Sequence, residues 1–144
     1  MNYPSSSGTV SVQRIIETEV QSVWTGLGYP ASSIDWPNID FAPPVNDFWL
    51  EPIINFGQSQ PMIFFGTGAG INEKVSLLLL TIRGPKTVGL LPYYEIAQTF
   101  LAHFNRLHYG GVYAQINDGP INLSEDALAA VQVAIELRYY ESAG

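Results

Sequence analysis

Apolar residues recur every three to four positions between Val12 and Leu27. At about 100° per residue, Val12, Ile16, Val20, Val23 and Leu27 share an arc of roughly 80°, flanked by Ile15 and Trp24, which predicts an amphipathic helix. Ser11 suits its N-cap and Gly28 its C′ stop. Glu19 sits at the edge of the apolar stripe, either as a solvated flank or as an ion-pair partner for another subunit. Ahead of the helix, residues 1–10 are small and polar and read as a flexible arm, leaving 11–144 as one domain.

The pattern then changes. Ile34 to Ile39 predicts a short strand, and Phe48 to Phe56 a second one, in which Pro52 requires an edge or a bulge because it has no N–H. Gly57 to Asn72 reads as a long loop or hairpin tip with Met62, Ile63, Phe64 and Phe65 in its middle. Val75 to Arg83 is a strand whose four consecutive leucines, Leu77 to Leu80, make both of its faces apolar, so both need cover.

Pro92 suits the first turn of a second helix, where its missing N–H costs nothing. Tyr93, Ile96, Ala97, Phe100, Leu101, Phe104 and Leu107 fall within roughly 140° of the wheel, and Gly110-Gly111 predicts the break. Val112 to Ile116 is a strand, and Asn117-Asp118-Gly119-Pro120 a turn. Ser124-Glu125-Asp126 resembles a helix start, but Val131, Val133, Ile135, Leu137 and Tyr139 alternate with more polar residues. That alternation favours a strand from about Ala130 to Glu141. Two one-sided helices and these strands predict an α+β fold, a mostly antiparallel sheet of about five strands with both helices on one face.

Composition narrows the function. Charged residues make up 13% of the 144-residue chain, about half the usual quarter, which suggests a surface partly covered by other protein. The net charge is -7, and the six basic residues are scattered, which disfavours direct nucleic-acid binding. No cysteine is present, so disulfides, thiolate metal sites and cysteine nucleophiles are excluded. The start of the chain lacks a signal-peptide pattern, and its longest apolar run, Val75 to Ile82, is too short to span a bilayer; a soluble protein is expected.

Catalytic candidates are few. His103 and His108 are five apart and diverge on a helix, so they do not form a metal pair. His103 reads as a packed or solvated imidazole beside the apolar stripe, and His108 as a helix-end contact. Gly66, Gly68 and Gly70 match neither the dinucleotide nor the phosphate-loop spacing. Asp35, Asp40, Asp47 and Glu51 lack the ligand spacing of a calcium loop. The expectation is a non-enzyme without metal or cofactor.

Two features point instead to protein contacts. Met62-Ile63-Phe64-Phe65 places four large apolar residues in a predicted loop, either folding back on the sheet or docking on a partner. Trp36, Phe41, Phe48 and Trp49 crowd around Pro37, Pro43 and Pro44, where rigid aromatics either anchor an interface or cap the core. The candidate interface residues are therefore Met62, Ile63, Phe64, Phe65, Trp49 and Glu19.

Ile34-x-Trp36-x-Asn38-x-x-Phe41-x-Pro43-Pro44, followed by Trp49-Leu50, resembles the start of small tail-terminator proteins of long-tailed bacteriophages. The order of the remaining segments agrees, from the leading helix through the Gly-rich insertion (Gly57 to Gly70) to a last strand ending near Arg138-Tyr139-Tyr140. Pro52 inside the second strand and the low basic content depart from the family's pattern. The resemblance implies a virion structural protein at the head-proximal end of the tail, assembled in the host cytoplasm. It implies a hexameric ring of copies that stops tube polymerisation and docks head-completion or neck proteins. Partners would be other copies, the tail tube protein and the neck, with DNA only passing through a lumen kept negative by the acidic balance; no membrane is involved. A head–tail joining ring is the alternative, and a small-molecule-binding or enzymatic α+β domain a further one. If the Gly-rich segment is the contact, replacing Phe64 and Phe65 by Ser gives a folded subunit that fails to cap tails; normal virion yield would rule the segment out.

Overall fold

Of the four consecutive leucines, Leu78 and Leu80 are fully buried and Leu77 and Leu79 only half-buried, so the cover expected on both faces of their strand is complete on one face alone. The structure, a computed structural model, describes residues 9–62, 71–109, 111–125 and 128–142. The strands are β1 (Trp49–Met62), β2 (Ile71–Pro85), β3 (Leu107–Tyr109), β4 (Val112–Asn122) and β5 (Leu128–Ser142). Their order across the sheet is β1-β2-β5-β4-β3, with every neighbouring pair antiparallel. Four long strands carry the sheet, and β3 adds only three residues at one edge.

Two helices, α1 (Thr9–Gly26) and α2 (Leu91–Phe104), lie on one face. Helix α2 packs on β5, β4 and β2, whereas α1 packs on β1 and on α2. The central register explains the core. Leu78, Leu80 and Ile82 of β2 sit opposite Ile135, Val133 and Val131 of β5, and all six side chains are fully buried on the helix-facing side. The alternate residues, Leu77 and Leu79, point to the other face and are half-buried. The fold class expected from the sequence is the one observed: α+β, mostly antiparallel, helices on one face.

Several boundaries differ, each for an identifiable reason. No strand runs from Ile34 to Ile39; a 3-10 turn (Ala31–Ser33) delivers Ile34 to a single parallel bridge with Leu50, and the chain then turns at Trp36–Ile39. Asn38, at φ 63°, takes the left-handed conformation that asparagine tolerates and strands do not. Much of the predicted 57–72 loop is ladder: β1 and β2 stay paired to Met62 opposite Ile71, with one register shift between Phe56 and Ser59. Gly57 is required there, because a Cβ would lie 2.1 Å from the Val75 carbonyl oxygen.

Helix α1 starts at Thr9, which puts Ser11 inside it, while Gly28 at φ 98° serves as the expected stop. Helix α2 ends at Phe104, well before the glycine pair. Arg106 adopts φ 55°, and Leu107 and His108 join β3, which pairs antiparallel with β4 from Leu107 opposite Ala114 to Tyr109 opposite Val112. The predicted turn at 117–120 lies within β4 as two register irregularities against β5. Ser124 begins no helix. Its hydroxyl accepts the Ala130 N–H at 3.1 Å and closes the β4–β5 connection. The final strand is longer than expected, Leu128–Ser142. The N-terminal arm from 1 to 8 lies outside the described residues.

Leu78 is fully buried at the centre of this sheet. Leu78→Ala should cost about 2–5 kcal/mol, by lost burial and the cavity it leaves. The check is the urea midpoint, which should fall with little change in slope; an unchanged midpoint would mean this face is not the core.

Candidate functional site

The segment from Ile34 to Leu50 is brought together by its own residues. Ile34 bridges Leu50, and the Asp35 N–H donates to the Leu50 carbonyl at 2.7 Å. Further on, the Phe41 ring lies 6.5 Å from that of Trp49. Trp49 is only 7% exposed, so this candidate interface residue is packed under its own loop. Phe48 and Trp36 are partly buried against the core. The aromatic cluster thus lies against the fold, with Trp49 buried and Trp36, Phe41 and Phe48 partly open.

Glu19 finds its partner inside the chain. Its Oε2 lies 3.0 Å from Nε2 of His103, joining α1 to α2. His108 is an exposed β3 residue opposite Tyr113. Met62 ends β1, while Ile63, Phe64, Phe65 and the three glycines 66, 68 and 70 lie outside the described residues.

Two of the four suspected carboxylates do meet. Asp35 and Glu51 approach Arg83, whose Nε is 3.3 Å from Glu51 Oε2. No acceptor is aligned to hydrogen-bond that buried Nε, so the contact is Coulombic. Burial first, and then the neighbouring Glu51 charge, push the Asp35 carboxyl above its ordinary value, with Arg83 acting in the opposite direction. Asp47 instead accepts the Phe48 N–H at 2.8 Å. Among the described residues no group of three metal-ligating side chains stands together. None of the described helices is long and apolar enough to cross a membrane.

A concavity with a largely apolar lining was not foreseen from the sequence. It lies between α1, the 36–39 turn and the outer edge of β1, has a volume of about 270 Å³, and is lined by Ile16, Val20, Trp36, Ile54, Phe56 and Leu78 among others. It opens onto a shallower groove along α1, where Val10 and Ile39 are 72% and 62% exposed. No local motif encodes it, because its walls come from three separate segments. The only available signal was Pro52, which marks β1 as an edge.

No family model and no curated protein matches the chain. Among solved structures, one whose name carries no functional description matches with a TM-score of 0.62, at 16% identity, over 89% of this chain and 92% of the other. At that identity the likeness speaks for the fold alone, and it does so over nearly the full length of both chains.

Asp35 offers a test of the charge cluster. A carboxyl with a raised folded-state pKa favours the fold below its unfolded value, and that contribution is lost as pH rises through the folded value. Above the ordinary 3.8, Asp35 therefore opposes folding. Asp35→Asn should leave stability at neutral pH equal or higher and flatten its decline as pH rises above 3.8, read from urea midpoints at a series of pH values. A variant less stable at pH 7 would show that attraction to Arg83 outweighs burial.

Proposed function

We propose that this chain is a structural assembly protein that caps a bacteriophage tail tube as a hexameric ring, ends tube polymerisation and presents a docking surface to the neck. The observation that carries the reading is how the residues of the Trp36-to-Leu50 segment meet. Ile34 reaches Leu50, Phe41 reaches Trp49, and the turn between them follows Trp36 and Asn38. A sequence resemblance whose spaced positions turn out to be mutual contacts is better supported than one whose positions scatter.

A second feature fits a subunit that packs against neighbours. Tyr113, Ile116 and Ile121 of β4 are 40%, 40% and 41% exposed, and they lie toward the sheet edge opposite β1. Large apolar side chains on one flank, with an apolar groove on the other, suit head-to-tail contacts that close into a ring. The net charge of -7 suits a lumen through which DNA passes without sticking.

Electron microscopy of a phage lacking the gene tests this directly. Overlong tubes are expected; finished tails beside separate heads would overturn capping in favour of head–tail joining. Native mass spectrometry should show a six-copy ring once purified tube protein is added, and a persistent monomer under those conditions counts against the reading.

A further inference from the structure

We propose that the outer edge of β1, together with the groove beside α1, is a strand-addition site that takes an extended segment of a partner chain. The argument starts from the main chain. Because the Asp35 N–H reaches the Leu50 carbonyl, the backbone groups of Leu50 point away from β2. The ladder from Trp49 to Phe56 is unbroken, so alternation turns the groups of Pro52, Ile54 and Phe56 the same way. Pro52 has no N–H to offer, which leaves Ile54 and Phe56 as the open donors and acceptors. Among the described residues nothing pairs with this edge beyond Leu50.

Three features make this more than an ordinary bare edge. The chain already places one extended piece against it, at Ile34 and Asp35, in the parallel sense. Immediately past that bridge lies the apolar groove of about 270 Å³, walled by Ile16 and Val20 of α1 on one side and by Ile54 and Phe56 of β1 on the other. An incoming strand would bond to the Ile54 and Phe56 backbone and drop alternate side chains between strand and helix, the arrangement that gives strand addition its specificity. The lining also sets the chemistry of the partner. Glu17 is the one charged residue among those lining the groove, in a chain of net charge -7. The segment it fits has aliphatic residues at every second position, matching this mostly apolar lining, and between them, facing away from α1, basic or uncharged residues that suit the net charge of -7. This inference goes beyond the tail-cap reading and does not require it.

The full chain, labelled with nitrogen-15, would be titrated with a capped heptapeptide, Thr-Val-Lys-Val-Thr-Val-Lys, and separately with the same peptide N-methylated along its length. The expected result is a saturable shift of the Ile54 and Phe56 amide signals with the first peptide, accompanied by a change in Trp36 emission, and neither effect with the second. Trp24 and Trp49 are nearly fully buried, so Trp36 is the reporter. Equal binding of both peptides would overturn main-chain pairing, and no shift at about 1 mM peptide would overturn the site, since affinities weaker than that fall below about 4 kcal/mol. Shifts of the same amides with protein concentration alone would make a second copy the occupant and overturn the proposal as stated.

Discussion

Both helices are held to one end of the sheet by a run of aromatic rings, and the placement of the 34–50 segment depends on it. Trp24, fully buried on α1, stacks on Tyr29 at 4.5 Å and on Phe100 of α2 at 6.5 Å. Tyr29 meets Phe48 edge-on at 5.7 Å, and Phe48 meets Tyr93 of α2 edge-on at 4.9 Å. The run therefore leaves α2 at Phe100 and returns to it at Tyr93, passing through α1 and the residue before β1. Each such pair is worth about 0.5–1.5 kcal/mol beyond its burial, so the four together are comparable with a large part of a domain's net stability. Its polar ends are satisfied as well. Trp24 Nε1 donates to Ser33 Oγ at 2.8 Å, and the Tyr93 hydroxyl donates to the Pro85 carbonyl at 2.6 Å. Burial pushes the Tyr93 phenol up to about 12, so it remains a donor throughout the ordinary pH range.

That constraint reaches the candidate site through Ser33. The hydroxyl that accepts from Trp24 also donates to the Pro30 carbonyl at 2.7 Å, which fixes the 3-10 turn immediately before Ile34. With the turn fixed, Ile34 and Asp35 arrive at Leu50 in an extended conformation, and Trp36 is left beside α1 as one wall of the groove. Gly84 serves the other end. A Cβ there would stand 2.6 Å from the Tyr93 hydroxyl and 3.2 Å from Phe48, so a side chain would push the run apart. The aromatic core and the open edge are thus parts of one arrangement.

What could be read from the sequence follows the range of the forces involved. The apolar stripes of α1 and α2 and the alternation in β5 are local and periodic, and they gave the right elements with the right buried faces. The end of α2 is not local: Arg106 is turned to φ 55° because Leu107–Tyr109 pair with β4, and no residue at that point advertises it. The ladder from Gly57 to Met62 was hidden for the same reason, since Gly57, Ser59 and Pro61 are poor strand formers that pair because β2 lies beside them. Ile34–Ile39 failed in the other direction, having strand-like residues but a neighbour for only one of them. As for the site, Glu19 was visible as an odd residue on an apolar face, but its His103 partner is 84 positions away. The groove was invisible because it is a gap between elements, and gaps leave no periodicity.

The face of the sheet away from the helices raises the question of why the β1 edge, rather than that broader surface, is the better docking candidate. On that face Leu77 and Leu79 are half-buried, Leu79 between Ile53 and Ala134, and several polar residues satisfy one another within or across the strands. Arg83 stands against Glu51, Gln132 donates to Thr81 at 3.0 Å, and Gln115 donates to Glu136, which also pairs with Arg138. Arg83 and Arg138 thus each stand against a carboxylate on this face, in a chain of net charge -7. Cross-strand pairs of this kind stabilise a solvated sheet face without a second layer. The loop carrying Phe41 closes the end of the face over Trp49. Among the described residues the β1 edge has no such internal answer past Pro52, because none of them pairs with the outward backbone groups of Ile54 and Phe56. Phe56 is 38% exposed beside them, so water covers an apolar surface there as well, and that combination favours a partner strand over solvent.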